Sequence, residues 1–136
     1  MSKKINILLI EDDLVDQKIF ARVLLESTLR YNLQIMDEAD GMLSEGGVKN
    51  LASFDIIYLD YKFPTGVSST MVHLLKKHWE FKTPVVLLTG TDSEILKSNI
   101  ESYDNVYYRM KCEETYREIP SFISKLFMES SGVSSS

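Results

Sequence analysis

"INILLIEDDLVDQ", residues 5–17, decides the fold. Six mostly apolar residues run straight into Glu11, Asp12 and Asp13, and a helical pattern follows at once. The apolar run does not alternate with polar residues, as a strand with one wet face would. It reads as a short strand buried on both faces, which favours a parallel sheet covered by helices. Such a strand exposes its carboxyl end, and here that end carries three acids.

The same signature recurs. "FDIIYLD" (54–60) and "TPVVLLTG" (83–90) are near-continuous apolar runs, and "LQIMDEA" (33–39) and "NVYYRM" (105–110) are weaker ones. Helical patterns separate them. After the acids, Val15, Ile19, Val23 and Glu26/Ser27 recur about every four residues, with Leu24 and Leu25 widening the face. "STMVHLLKKHW" (69–79) is amphipathic, "GMLSEGGVKNLASF" is interrupted by Gly46 and Gly47, and "DSEILKSNIES" offers Asp92 or Ser93 as a cap. For the last helix, Thr115 and Glu118 have capping-box spacing, but that start would put Pro120 inside the helix. A start near Ile119 with Pro120 in the first turn is preferred, and Ile119, Ile123, Leu126 and Phe127 then form the buried stripe. Strand and helix thus alternate five times, the pattern of a doubly wound α/β domain: a five-stranded parallel sheet with helices on both faces.

Size and composition agree. At 136 residues the chain suits one domain, with 44% apolar and 26% charged residues. A single cysteine rules out an internal disulfide framework. The N-terminus shows no apolar stretch of signal or membrane length, so a cytoplasmic setting without membrane insertion is expected. A net charge of −5 disfavours direct nucleic-acid binding, which wants a basic surface for phosphates.

Open α/β sheets place their sites at the carboxyl ends of the strands. Four such ends carry reactive groups: Glu11, Asp12 and Asp13; Asp60; Thr89; and Lys111, just past Tyr108. Each alone has an ordinary explanation. An acid after a strand is commonly the first solvated residue, acids before a helix favour its dipole, and Thr89 before Gly90 suits a turn. Together they define a chemistry. Clustered carboxylates repel unless a hard cation relieves them, and Mg²⁺ suits few protein ligands beside a phosphate. Asp60 is then a candidate nucleophile for a phosphoryl group, with Lys111 and Thr89 contacting its oxygens.

At this point the chain resembles the receiver domain of two-component response regulators, through "LLIEDD" (8–13), "IIYLDYKFPTG" (56–66), "VVLLTG" (85–90) and "YRMK" (108–111), over roughly residues 4–129. The resemblance implies that Asp60 becomes a 4-aspartylphosphate. It implies a magnesium ion held by Asp12, by Glu11 mainly through water, by Asp60 and by the backbone carbonyl of Lys62. Thr89 and Lys111 would engage the phosphoryl group, and Thr89 and Tyr108 would form the switch. The donor would be a histidine kinase or a histidine phosphotransfer protein, with a homodimer also open. The activity would be phosphoryl transfer and autodephosphorylation within a signalling domain rather than ordinary enzyme turnover. Residues 130–136 read as a flexible tail or linker stub, too short for an effector domain; a stand-alone regulator is expected, with a receiver excised from a larger protein as the alternative.

The sequence departs from the family in places. Lys62 sets a cation beside the acceptor, and Cys112 follows Lys111 where relatives usually have proline. The stretch between the first strand and Asp60 is slightly long for the family, with an extra residue or few near Tyr31–Asn32 or in "SEGG". Two other classes stay open: a receiver-like docking module that works without phosphorylation, and a small Mg²⁺-dependent phosphatase. The intact acids, Thr89 and Lys111 disfavour the first. Lys62, standing where a second acid would be wanted, disfavours the second.

Overall fold

The structure is a computed structural model that describes residues 4–36, 53–61, 83–90, 94, 97–98 and 105–132. Its five strands are β1 (Ile5–Ile10), β2 (Tyr31–Met36), β3 (Ile56–Tyr61), β4 (Val85–Thr89) and β5 (Val106–Met110). They form one parallel sheet in the order β2-β1-β3-β4-β5. Two long helices are described, α1 (Leu14–Leu25) and α2 (Glu113–Gly132).

The apolar runs occupy the sheet centre. Ile7, Leu9, Ile56, Tyr58, Val86 and Leu88 point to one face, where Phe20 and Leu24 of α1 and Tyr116, Ile119 and Ile123 of α2 close the core. The alternate residues Leu8, Ile10, Ile57, Leu59, Val85 and Leu87 are equally buried. Both faces are therefore covered, which is why these strands read as continuous apolar runs. The fold is the doubly wound, flavodoxin-like one expected from the sequence. β2 alternates between half-buried and exposed positions and accordingly gave a weaker signal. It begins at Tyr31, so Tyr31 and Asn32 are strand residues.

Both described helices differ from the sequence expectation. In α1 Leu24 is buried and Val23 packs against the core as expected, but the other buried residue is Phe20, whereas Val15 is 64% exposed and Ile19 is 38% exposed. Phe20 wins the inward position because its ring meets Tyr58 edge-on, with centroids 4.9 Å apart. The C-terminal helix begins at Glu113, not near Ile119, and Pro120 lies inside it. The Tyr116 N–H donates to the Cys112 carbonyl at 3.1 Å, closing a turn well before the proline. A proline inside a helix costs about 3 kcal/mol. Burial of Tyr116 and Ile119, both on the turns leading to Pro120, offsets that, and Glu113 and Glu114 suit the helix N-terminus. Ile119 and Ile123 are buried as expected, with Leu126 and Phe127 packed at the edge of the core. The helix runs to Gly132, three residues into the segment expected to be tail. The amphipathic stretch 69–79, the capping residues Asp92 and Ser93, most of 41–54 and Lys62 lie outside the described residues.

Candidate functional site

The strand order sets the site. From β1 the chain moves one way to β2 and then back across to β3, so the direction reverses between β1 and β3. Ligands of open α/β sheets sit at such a switch point. Leu59 of β3 pairs with Ile10 of β1, which brings Asp60 beside Glu11 just beyond the paired ends. Carboxylate oxygens of Glu11, Asp12 and Asp60 all lie within 4.8 Å of one another.

Each acid is held differently. The Glu11 N–H donates to the Met36 carbonyl at 2.9 Å, and its carbonyl accepts from Gln17 Nε2 at 2.6 Å. Its side chain is 1% exposed, and Oε2 accepts the Asp13 N–H at 3.2 Å. Asp12, by contrast, is exposed. Asp13 is the N-cap of α1, its Oδ1 accepting the N–H groups of Val15 and Asp16 at 2.8 and 3.1 Å. The three consecutive acids therefore divide their work: Asp13 starts the helix, while Glu11 and Asp12 face Asp60. Asp60 is buried at the end of β3.

Lys111 closes the arrangement from the far side. Its N–H donates to the Thr89 carbonyl at 2.7 Å, which fixes it at the end of β5. Its Nζ lies 2.8 Å from Glu11 Oε1, 2.8 Å from Asp60 Oδ1 and 3.0 Å from Asp16 Oδ2. Burial pushes the Lys111 pKa down, but hydrogen bonds to Asp60, Glu11 and Asp16 outweigh it and hold the ammonium charged. Glu11 moves the other way. Burial raises it most, Asp60 adds repulsion, and Lys111 only partly relieves both, so its pKa is pushed up to about 7.

Thr89, 2% exposed, ends β4 opposite Met110, and Leu87 stands opposite Tyr108. Thr89 and Tyr108 therefore share a sheet face on adjacent strands. Tyr108 is half-buried, with the Lys97 ammonium 5.2 Å from its ring centre. The structure thus brings Glu11, Asp12, Asp60 and Lys111 together and sets Thr89 at the same edge. Lys62 is outside the described residues.

One participant was not singled out from the sequence. Asp16 lies on a helix rather than at a strand end, so reading strand ends passes over it. Its signal was positional: it stands three residues after the N-cap, in the turn that faces the site. Tyr116 was also passed over. It is buried beside this cluster, and its hydroxyl has no hydrogen-bond partner among the described residues. Burial and the charge of Asp16 raise its pKa.

The donor set fits a hard divalent cation. Among the described residues it offers carboxylate oxygens close enough to share one ion, and the one ammonium there, that of Lys111, faces four carboxylates once Asp16 is counted. Among the described residues, no helix is long and apolar enough to cross a membrane.

No family model matches the sequence. No curated protein matches it either. Solved structures do match. The phosphorylated cyanobacterial phytochrome response regulator RcpA superposes with a TM-score of 0.73 at 20% identity, covering 94% of this chain and 96% of that one. A response regulator receiver domain from Rhodospirillum rubrum gives 0.72 at 19% identity, covering 88% and 94%. The Mn²⁺-bound form of the response regulator Rcp1 gives 0.64 at 21% identity, covering 91% and 94%. At these identities the likeness establishes the fold: the chain has the fold of response regulator receiver domains.

Proposed function

We propose that the chain is a phosphoacceptor receiver that takes a phosphoryl group onto Asp60 and uses it to switch protein contacts. The observation that carries this reading is Lys111 Nζ at 2.8 Å from both Asp60 Oδ1 and Glu11 Oε1, with Asp12 in the same acidic cluster. Ion pairs that serve stability alone do not need three carboxylates gathered within 4.8 Å at the strand ends. A site built for a cation and a phosphoryl group does.

In the reaction, an Asp60 carboxylate oxygen attacks the phosphorus of a phosphohistidine on a histidine kinase or phosphotransfer protein. The P–N bond breaks, its electron pair returns to the imidazole, and an acyl phosphate forms on Asp60. Lys111 donates to the oxygens on which negative charge collects, and the Thr89 hydroxyl donates to another. Glu11, Asp12, Asp60 and the Lys62 carbonyl would hold Mg²⁺, which when bound neutralises the charge of the acids and of the incoming group. The Glu11 side chain, with a pKa of about 7, would have to be ionised to help hold the cation. Hydrolysis by water resets the domain. Thr89, drawn toward the phosphoryl group, would vacate space on the face it shares with Tyr108, and the ring would follow. That links the charge on Asp60 to the outer surface of β4 and β5. Residues 4–129 would form the switching unit, working in the cytoplasm without contacting nucleic acid.

The test is uptake of a phosphoryl group from a small-molecule donor with Mg²⁺. Wild type is expected to gain the mass of one phosphoryl group and Asp60→Asn none. Equal labelling of both, or of neither, rejects the reading. Sustained turnover of a phosphomonoester would move the assignment to a phosphatase.

A further inference from the structure

α1 brings a fourth carboxylate to the site. Asp16 stands in the first turn of that helix, fixed by its own N–H to the N-cap Asp13. Its Oδ2 accepts from Lys111 Nζ at 3.0 Å. A lysine ammonium has three N–H groups, and this one meets three carboxylates, those of Glu11, Asp60 and Asp16. The ammonium is thus already engaged by three carboxylates before any phosphoryl group arrives.

The three partners are not equally replaceable. The side chains of Glu11 and Asp60 are 1% and 6% exposed, so water cannot easily take the place of the ammonium beside them. The Asp16 side chain is 25% exposed and water can reach it. When Lys111 turns an N–H toward a phosphoryl oxygen, Asp16 is the partner that can release it at least cost.

We propose that Asp16 is a positioning residue of the phosphoacceptor site, holding the Lys111 ammonium on the α1 side and competing with the phosphoryl group for it. This rests on the reading of Asp60 as phosphoacceptor. It has a consequence that packing alone would not give. Removing the Asp16 charge leaves more of the Lys111 field to an incoming anion, and at the same time weakens the pull on a cation. Anion and cation affinities must shift in opposite directions.

The full chain is titrated with Mg²⁺ alone, and then with beryllium trifluoride at saturating Mg²⁺, in wild type, Asp16→Asn and Asp16→Glu. Coulomb interaction over several ångströms at a partly solvated site sets the expected scale. Asp16→Asn should bind the fluoride mimic about three- to tenfold more tightly and Mg²⁺ about two- to fivefold more weakly. Asp16→Glu should stay near wild type. Weakening of both ligands in Asp16→Asn would assign Asp16 a structural role and overturn the proposal, as would no change in either. Asp16→Ser replaces Asp16→Asn should the amide disturb the first turn of α1. A wild type that takes up no mimic rejects the phosphoacceptor reading itself, a result separable from any behaviour of the variants.

Discussion

Lys111 Nζ sits 2.8 Å from Asp60 Oδ1, joining the ends of β5 and β3 across the intervening β4. The contact gives three neighbouring strands a shared electrostatic anchor at the edge where the acids gather. Lys111→Met keeps the apolar stem and removes the ammonium, leaving Glu11 and Asp60 buried beside each other with no cation. Breaking one side of a buried ion pair typically costs about 3–5 kcal/mol. Partial protonation of Glu11 softens this, so a loss of about 2–3 kcal/mol is expected at neutral pH without divalent ions. Urea unfolding measures it, and adding Mg²⁺ should recover much of the difference.

Glu11 makes the metal-free protein sensitive to pH in a defined direction. Its pKa is raised on folding from 4.5 to about 7, so between those values the native state binds more protons than the unfolded chain. Stability contributed at this position is therefore highest below pH 4.5 and is lost as pH rises toward 7. At 1.36 kcal/mol per pKa unit the effect approaches about 3 kcal/mol. Glu11→Gln cannot titrate. The stability difference between wild type and Glu11→Gln, measured in chelator, should shift against wild type by that order from pH 4.5 to 7.5. A constant difference would refute the prediction.

What the sequence revealed and what it hid follow from the same physics. β1, β3 and β4 are buried on both faces, so each wrote a continuous apolar run and its carboxyl end could be located. Parallel topology then set Glu11, Asp12, Asp60, Thr89 and Lys111 along one edge without any knowledge of contacts. The helices were less legible. α1 has apolar residues on several sides, and tertiary packing, including the Tyr58 ring, turns Phe20 inward. In α2 the local penalty of Pro120 argued for a late start, while the opposing term, burial of Tyr116, is tertiary. Asp16 was hidden because its role depends on Lys111, whose position only the β5 register supplies.

The inward face of α1 can be checked by truncation. Phe20 is fully buried and Val15 is 64% exposed. Phe20→Ala should cost about 3–5 kcal/mol, the range for an aromatic removed from a packed core. Val15→Ala should change stability by less than about 0.5 kcal/mol. The periodic pattern Val15, Ile19, Val23 would have given the reverse order. Thermal or urea unfolding of the two variants decides between them.

Pro120 predicts an unusual gain. Within α2 it cannot donate to the carbonyl of Tyr116, one turn earlier, and its ring crowds that turn. Pro120→Ala restores the donor and removes the crowding, although it also gives the unfolded chain more freedom, worth about 0.4–1 kcal/mol. A net stabilisation of about 1–2 kcal/mol is expected, seen as a higher urea midpoint with unchanged slope. A destabilised Pro120→Ala would refute this prediction.

Divalent cations test the acidic cluster apart from any phosphoryl chemistry. A ligand that binds only the native state stabilises it by about 2.7 kcal/mol at a hundredfold excess over its dissociation constant. Glu11, Asp12 and Asp60 lie within 4.8 Å of one another, and Asp12 is the exposed member. Being exposed, Asp12 can be changed to Asn with little disturbance of the fold, while the proposed cation site loses one of its carboxylates. Mg²⁺ should therefore raise the melting temperature of wild type in a concentration-dependent way. In Asp12→Asn the same rise should require at least about tenfold more Mg²⁺, the equivalent of 1.4 kcal/mol of binding energy. Because Glu11 must lose its fractional proton to join the site, the wild-type response should strengthen from pH 6 to pH 8. An Mg²⁺ response identical in the two proteins would place the ion elsewhere and separate the acids from the metal.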